Sequence, residues 1–179
     1  MSNLTQYQTY YAIHLDHYSE TWGGNEYNKQ ITKEFPNEYL ITTDYTNASS
    51  ADFLYPMLYK NIYLLDSVAD GHLTLYNQST STPTAVTSYT VSIKKTDDVP
   101  SNETTLGSYT NSITTDNSVG TDDYLTLPIF INITKQVVNE NEKLILHIDF
   151  TGGSDLCIAH ANDSSIIDTK ITLPYAPQG

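Results

Sequence analysis

The sequence predicts an all-β protein: an antiparallel, jelly-roll-like β-sandwich with an extended N-terminal arm. Apolar and polar residues alternate along the last two thirds of the chain, which is the pattern of a sheet with one buried face. Turn-forming residues separate the alternating segments, and strands of about eight to ten residues at this spacing are typical of sandwiches. No long segment shows the apolar spacing of an amphipathic helix.

Each alternating segment is predicted to form a strand. Their apolar positions are Leu73 and Leu75; Tyr89, Val91 and Ile93; Leu125, Leu127, Ile129, Ile131 and Ile133; Leu144, Leu146, Ile148 and Phe150; Leu156 and Ile158; and Ile171 and Leu173. Turns are predicted between them, for example at Asp70-Gly71. Pro128 lies inside the strongest segment, and because proline cannot donate to a ladder, we expect an edge strand or a bulge there. A single short helical turn is expected at 50–55, before Pro56.

Residues 1–36 are predicted to form the arm, and residues 37–179 the sandwich domain. The arm holds the only tryptophan and many tyrosines but little alternation. Such a segment has aromatic surface to bury, either on the sandwich or on a neighbouring subunit. We therefore expect an assembly interface, formed by Tyr7, Tyr10, Tyr11, Ile13 and Trp22.

The charge balance argues against a nucleic-acid partner. The 179 residues include 8 lysines, no arginine and 21 acidic residues, which gives a net charge of −13, whereas phosphate binding needs a basic patch. No stretch approaches the roughly 18 apolar residues of a membrane span. The first residues lack the basic start and apolar region of a secretory signal, so we expect no signal peptide.

Metal and cofactor sites are not expected. His14 and His17 would share one face of a helix, but on a strand they point to opposite faces and cannot chelate together. The acidic pairs Asp97-Asp98 and Asp122-Asp123 have calcium-binding oxygens, yet no segment matches a calcium-binding loop. We interpret these pairs as solvated turns.

Catalytic motifs are also missing from the sequence. Gly-x-Ser-x-Gly, a phosphate-binding glycine loop and His-Glu-x-x-His are all absent, and these are recurrent signatures of hydrolases and nucleotide-binding enzymes. The single cysteine, Cys157, excludes an internal disulfide and is interpreted as a buried small hydrophobe. We therefore predict that the protein is not an enzyme.

Six Asn-x-Ser/Thr triplets are potential glycosylation acceptors. They begin at Asn3, Asn47, Asn77, Asn102, Asn132 and Asn162. Composition explains most of this number, because asparagine, serine and threonine are abundant. We expect Asn132 to be the poorest acceptor, since it lies in a predicted strand.

The stretch 58–150 resembles small β-sandwich proteins from the heads and tails of tailed bacterial and archaeal viruses. The resemblance rests on LYKNIYLLDSVADGHLTLYN, YTVSIKKTDDVPSNETTLGS and YLTLPIFINITKQVVNENEKLILHIDF. In order, these give a strand with a hairpin, a lysine-bearing strand that opens into a polar loop, a long strand, and a turn into a last strong strand. No catalytic or ligand-binding residue follows from the resemblance.

The resemblance implies a virion structural protein that decorates or cements the capsid surface. The expected partners are the lattice of the major capsid protein and other copies of the chain, with a trimer favoured. The protein would be made in the host cytoplasm and carried on the virion surface. The alternative is a carbohydrate-binding or adhesion module of a viral tail, spike or cell surface, in which the aromatic rings of the arm stack on sugars.

Overall fold

The computed structural model of the chain describes residues 5–14, 19–33, 45–56, 61–99, 102–160 and 169–176. Within these ranges all regular secondary structure is β-structure. The strands are β1 (Gln6–His14), β2 (Glu20–Trp22), β3 (Asn25–Tyr27), β4 (Lys29–Thr32), β5 (Tyr45–Thr46), β6 (Ser50–Leu54), β7 (Ile62–Leu64), β8 (Ser67–Asn77), β9 (Thr84–Thr96), β10 (Thr104–Ser112), β11 (Ser118–Val119), β12 (Tyr124–Ile133), β13 (Gln136–Val138), β14 (Lys143–Gly152), β15 (Leu156–Ala159) and β16 (Lys170–Tyr175).

Of the described strands, fourteen belong to one large sheet, and β2 and β3 form a separate hairpin. The main path through the sheet is β10-β9-β14-β6-β4-β1-β16-β8-β15-β5, and β12 pairs with β8 beside this path. The pairing of β4 with β6 is parallel. The long pairs, such as β14 with β9 and β12 with β8, are antiparallel.

The core lies between two layers of this sheet. The first layer is β10-β9-β14-β6, and the second is β12-β8-β16-β1. Val91 and Leu146 from the first layer and Leu73, Ile129 and Ile171 from the second are fully buried in one shared cluster. The all-β prediction is therefore confirmed, and the two layers fit a sandwich. The jelly-roll-like connectivity stays a prediction.

Every alternating segment of the sequence is a strand in the structure, from β8 to β16. The expectation for Pro128 is also confirmed: β12 pairs with β8 alone among the described strands, so Pro128 lies on an edge strand. At this edge β12 lies close to β10. The distance shows this: a Cβ added at Gly107 of β10 would lie only 2.6 Å from the Asn132 carbonyl oxygen of β12. Tyr89 Oη donates to the Pro128 carbonyl at 2.6 Å and ties the first layer to the same edge.

Two local predictions were wrong. The turn expected at 50–55 is not helical; its residues 50–54 form β6, because Phe53 points into the core and the backbone pairs with β14. Asp70-Gly71 is not a turn but the middle of β8, between β12 and β16. Glycine is required there by the approach of β16, since a Cβ at Gly71 would lie 2.1 Å from the Lys170 carbonyl oxygen.

The described part of the predicted arm, residues 1–36, lies on the sandwich, which is one of the two places expected for it. β1 is hydrogen-bonded on one side to β16 and on the other side to β4, so it lies inside the main sheet. Its side chains alternate, and Tyr10 and Ala12 are completely buried. The sequence pattern did not indicate this strand, because the polar residues Gln6, Gln8 and Thr9 interrupt the apolar alternation on which the prediction relied.

Candidate interaction surface

Aromatic rings gather on the outer face of the second layer. Residues paired directly across strands share a face, and this relation places Tyr124 beside Tyr76 and Phe130 beside Asp70. On the other side of β8, β16 carries Thr172 beside Asp70, and β1 follows with Thr9 beside Thr172. We call this surface the aromatic face and define it by Tyr7, Tyr11, Tyr76, Tyr124 and Phe130.

Three of these rings are strongly exposed. The exposed fractions are 60% for Tyr7, 52% for Phe130 and 38% for Tyr124. Single exposed apolar residues are common, but several on one flat layer are characteristic of an interaction site. The face therefore offers aromatic contact area without any change in the fold.

The rings at one end of the aromatic face form a stack. Tyr76 lies 4.7 Å from Tyr124 and 5.3 Å from Tyr45, measured between ring centroids. The Tyr76 hydroxyl donates to Asp122 Oδ1. This hydrogen bond raises the pKa of Tyr76 to about 12, with smaller contributions from burial and from the Asp122 charge. The stack is held in a fixed geometry before any partner binds.

The centre of the aromatic face is polar. His72 lies beside Pro128 on one side and Lys170 on the other, and Asp70 lies beside Thr172. Lys170 Nζ lies 5.8 Å from the ring centroid of Tyr11. A partner that covers the face must therefore satisfy polar groups in its middle as well as bury rings around them.

The predicted interface residues fall into different environments. Tyr7 is the exposed one and belongs to the aromatic face, and Tyr11 is half-buried beside Lys170. Tyr10 is fully buried and packs edge-on against Tyr55, with ring centroids 5.3 Å apart, and Ile13 is 4% exposed. Tyr10 therefore packs within this chain, and the interface role of Tyr7 stays a prediction.

Trp22 belongs to the β2–β3 hairpin, which covers part of the outer face of the first layer. Its ring packs on a small cluster of Tyr27, Leu54 and Ile145, and its Nε1 donates to the Thr96 carbonyl at 2.9 Å. Lys143 Nζ lies 4.3 Å from the Trp22 ring centroid and 2.9 Å from Glu20 Oε1. Trp22 thus fastens the hairpin to the sheet.

Sequence reasoning missed Tyr76, Tyr124 and Phe130 as surface residues. The signal was present in LTLPIFINI, where Phe130 occupies a position opposite in phase to Ile129 and Ile131. An aromatic residue on the outward phase of a half-buried strand indicates a contact surface.

The histidine and acidic residues considered as metal ligands make other contacts. His14 Nε2 lies 3.0 Å from Asn28 Nδ2, and His14 Nδ1 lies 3.3 Å from Thr46 Oγ1. His17 lies outside the described residues. In the described ranges, no three His, Cys, Asp or Glu side chains converge as metal ligands.

The predicted acidic turns accept hydrogen bonds from their own surroundings. Asp97 Oδ1 accepts from the Val99 backbone N–H at 3.0 Å, and Asp98 Oδ1 accepts from the Gly23 N–H at 2.9 Å. The Asp98 contact joins the β2–β3 hairpin to the loop after β9. These carboxylates therefore hold loops in place.

Cys157 is confirmed as a buried small side chain. It is fully buried on β15, and burial raises the pKa of its thiol to about 11, with an added contribution from the Asp155 charge. A thiol with a raised pKa is a poor nucleophile at neutral pH.

A polar row crosses the outer face of the first layer on β6, β14, β9 and β10. His147 lies opposite Asp52 and Ser92, and its Nδ1 is 2.7 Å from Asp52 Oδ1. Ser92 Oγ lies 2.9 Å from Ser108 Oγ. An activated serine requires a hydrogen bond to a neighbouring base. The contacts of the described residues include no such hydrogen bond between Ser92 and His147. The absence of enzymatic activity stays a prediction.

Two of the asparagines in the glycosylation triplets differ in burial. Asn77 is fully buried, and its Nδ2 donates to the carbonyls of Thr82, Val119 and Gly120. It is therefore a structural residue. Asn132, the predicted poorest acceptor, is exposed on β12.

Fold and surfaces together define an all-β domain built on a large, mostly antiparallel sheet. No family model and no curated protein matches the chain. Among solved structures, it is similar to part of a CocE/NonD family hydrolase from Staphylococcus aureus, at 9% identity and a TM-score of 0.63, over 96% of this chain and 37% of that chain. It is also similar to part of an aminopeptidase from a marine sediment archaeon, Thaumarchaeota archaeon, at 7% identity and a TM-score of 0.65, over 97% of this chain and 37% of that chain.

The chain thus spans little more than a third of the length of these two enzymes. At such low identity the likeness shows the fold alone, because one fold can support unrelated functions. The described ranges contain no helix that is long and apolar enough to cross a membrane.

Proposed function

We propose that this chain is a non-enzymatic virion structural protein that decorates or cements a capsid surface through its aromatic face. The observation that carries the proposal is the exposure of Tyr7, Tyr124 and Phe130 on the outer face of one layer. Exposed rings suit a protein partner, because aromatic residues are enriched in interfaces relative to the rest of the surface.

The remaining surface supports the same role. A net charge of −13 favours solubility, and with only 16% charged residues most of the surface stays uncharged and available for contacts. The sheet supplies a large core without any disulfide, since Cys157 is the only cysteine. The proposed partners are the major capsid protein lattice and other copies of this chain, with a trimer favoured, and the proposed location is the virion surface.

The test is quantitative mass spectrometry of particles purified from the cells that make this protein. We expect purified particles to contain the chain at tens to hundreds of copies per particle, quantified against the major capsid protein. A Phe130→Ser/Tyr124→Ser double variant should remain folded and be lost from the particles. Absence of the wild-type chain from particles would contradict the proposal, as would full retention of the folded double variant.

A further inference from the structure

A polar pocket lies at the outer face of the first layer, away from the aromatic face. It has a volume of about 330 Å³ and is lined by β3 and the start of β4 on one side, by β6 on another, and by Glu103 before β10. This volume is at the small end of the range of about 300–1,000 Å³ that is usual for ligand sites. The pocket therefore suits one small ligand unit.

Chemically, the lining is unusual for a small-molecule site. Such sites are mostly apolar, but here Tyr27 and Ala51 are the only apolar contributors among the lining residues. The others are Asn25, Glu26, Asn28, Lys29, Ser50, Asp52 and Glu103. An apolar ligand would leave these polar groups without partners, so the ligand must itself be rich in hydrogen-bonding groups.

Several of these polar groups have hydrogen-bonding capacity to spare. The Glu26 carboxylate makes no hydrogen bond or ion pair within the described residues. Asp52 uses Oδ1 for His147, and Glu103 uses Oε1 for Lys94, which leaves one oxygen of each carboxylate. The side chains of Asp52 and Glu103 are 43% and 40% exposed. Three carboxylates thus offer acceptors to a ligand that donates.

Lys29 distinguishes between the possible donating ligands. Its Nζ donates to Asn28 Oδ1 at 3.3 Å, and it forms no ion pair within the described ranges. A cation in the pocket would meet this positive charge, and an anion would meet three carboxylates. A neutral hydroxyl group accepts from the ammonium and donates to a carboxylate, so it satisfies both.

The walls of the pocket are held firmly. The β2–β3 hairpin is fixed by the Trp22–Thr96 hydrogen bond and the Glu20–Lys143 ion pair. Tyr27 is 7% exposed at the pocket wall. Burial raises the pKa of Tyr27, as do the charges of Asp52 and Glu103, while a hydrogen bond from Asn25 opposes the shift. A preformed site loses little entropy when its ligand binds.

We propose that this pocket binds a single carbohydrate ring, with Glu26 and Asp52 accepting hydrogen bonds from its hydroxyl groups and Lys29 donating to one of them. The site gives the protein a glycan contact separate from the aromatic face. It does not depend on the virion role, because particle binding is assigned to the opposite layer.

The test begins with a glycan array probed with the labelled full chain, followed by NMR titration of the ¹⁵N-labelled protein with the monosaccharide at the end of the strongest array ligand. We expect shifts in the amide signals of Asn28 and Ala51. Glu26→Gln and Asp52→Asn should each weaken binding by about tenfold or more, because each removes a charged hydrogen bond.

The matched control is Asp70→Asn, which neutralises an exposed carboxylate on the aromatic face and should leave sugar affinity unchanged. Glu26→Gln removes no hydrogen bond or ion pair of the described residues, so it separates loss of binding from loss of fold. The proposal is overturned if no glycan binds, if Glu26→Gln and Asp52→Asn bind as tightly as the wild type, or if spermidine shifts the pocket amides while sugars do not.

Discussion

Gly71 lies where β8 is approached by backbone from its neighbour β16. A methyl group at this position would lie 2.1 Å from the Lys170 carbonyl oxygen and 2.9 Å from the Ile171 Cα. Both atoms belong to backbone, which cannot rotate away as a side chain can. The space at this residue therefore limits how closely the two strands can pair.

We expect Gly71→Ala to lower the free energy of unfolding by about 1–3 kcal/mol, the usual cost of overpacking. Urea unfolding followed by circular dichroism measures the change. Gly120→Ala is the control, since its nearest new contact would be 3.5 Å away at Asp123. If Gly71→Ala and Gly120→Ala have equal free energies of unfolding, β8 and β16 can move apart without a loss of stability.

Cys157 gives a second prediction at the scale of one residue. The native thiol should resist a disulfide reagent at pH 8, because it is buried and the pKa is raised to about 11. The same thiol should react fully in urea. Rapid reaction of the native protein would mean that β15 opens on the timescale of the assay.

The raised pKa of Tyr76 predicts that the stability of the protein depends on pH in the alkaline range. Because the hydrogen bond to Asp122 raises the pKa of Tyr76 to about 12, above its value of about 10 in an unfolded chain, the contribution of Tyr76 to stability is complete below pH 10. It is lost as the pH rises through 12. Asp122→Asn should move one tyrosine titration to lower pH in an ultraviolet absorbance titration, and Tyr76→Phe should remove it. An unchanged titration in Asp122→Asn would contradict the assignment.

Among the elements, the β2–β3 hairpin forms a two-stranded sheet of its own and pairs with no described strand of the main sheet. Trp22, Tyr27 and the Glu20–Lys143 ion pair attach it to the first layer, and it forms one wall of the polar pocket. Because no strand pairing holds the hairpin to the sheet, loss of these contacts is expected to open it without unfolding of the core. Hairpin stability and pocket integrity are therefore linked.

Trp22→Ala should destabilise the protein by about 2 kcal/mol, less than a fully buried Trp→Ala change because the ring is half-buried. Trp22→Phe keeps the ring packing and loses the hydrogen bond to Thr96, at about 1 kcal/mol. Hydrogen exchange of the hairpin amides should rise more in Trp22→Ala than in Trp22→Phe. Unchanged exchange in both variants would show that other contacts hold the hairpin.

Sequence patterns predicted the later strands well because their inward positions are uniformly apolar. β12 and β14 are examples: Ile129, Ile131 and Ile148 all face the core. β1 and β6 were missed for physical reasons, because β1 contains glutamine and threonine, and β6 has only five residues. Their structure is set by pairing with distant strands, which no local pattern records.

The polar pocket could not be predicted from the sequence. Its residues come from three separate segments, 25–29, 50–52 and 103, which are ordinary polar positions when read in order. Tertiary folding alone brings them together. Tyr7, in contrast, was named as an interface residue from its aromatic character, and the structure leaves it exposed.

The whole molecule has two outer faces of different chemistry. The first layer carries the polar pocket and the Asp52–His147–Ser92 row, while the second layer carries the aromatic face. Such a division lets one protein hold a lattice on one side and present another surface outward. It also predicts that self-association uses the second layer.

Light scattering after size exclusion should show a wild-type oligomer, with a trimer favoured. A Tyr7→Ser/Phe130→Ser double variant should shift the distribution to monomer while its stability changes by no more than about 0.5 kcal/mol per site, because both residues are exposed. A control with Glu26→Gln should keep the wild-type mass. A wild-type monomer at all concentrations would remove self-association from the proposed role.

The pairing of β1 with β16 joins Gln6 to Tyr175, two residues that are far apart in the sequence. During synthesis β1 leaves the ribosome long before β16 has been translated. Tyr10 and Ala12 therefore stay uncovered on that side until the residues of β16, from Lys170 onward, have been translated. Folding is therefore expected to finish late and slowly, and nascent chains that stop before residue 170 are expected to be recognised by chaperones and proteases as incomplete.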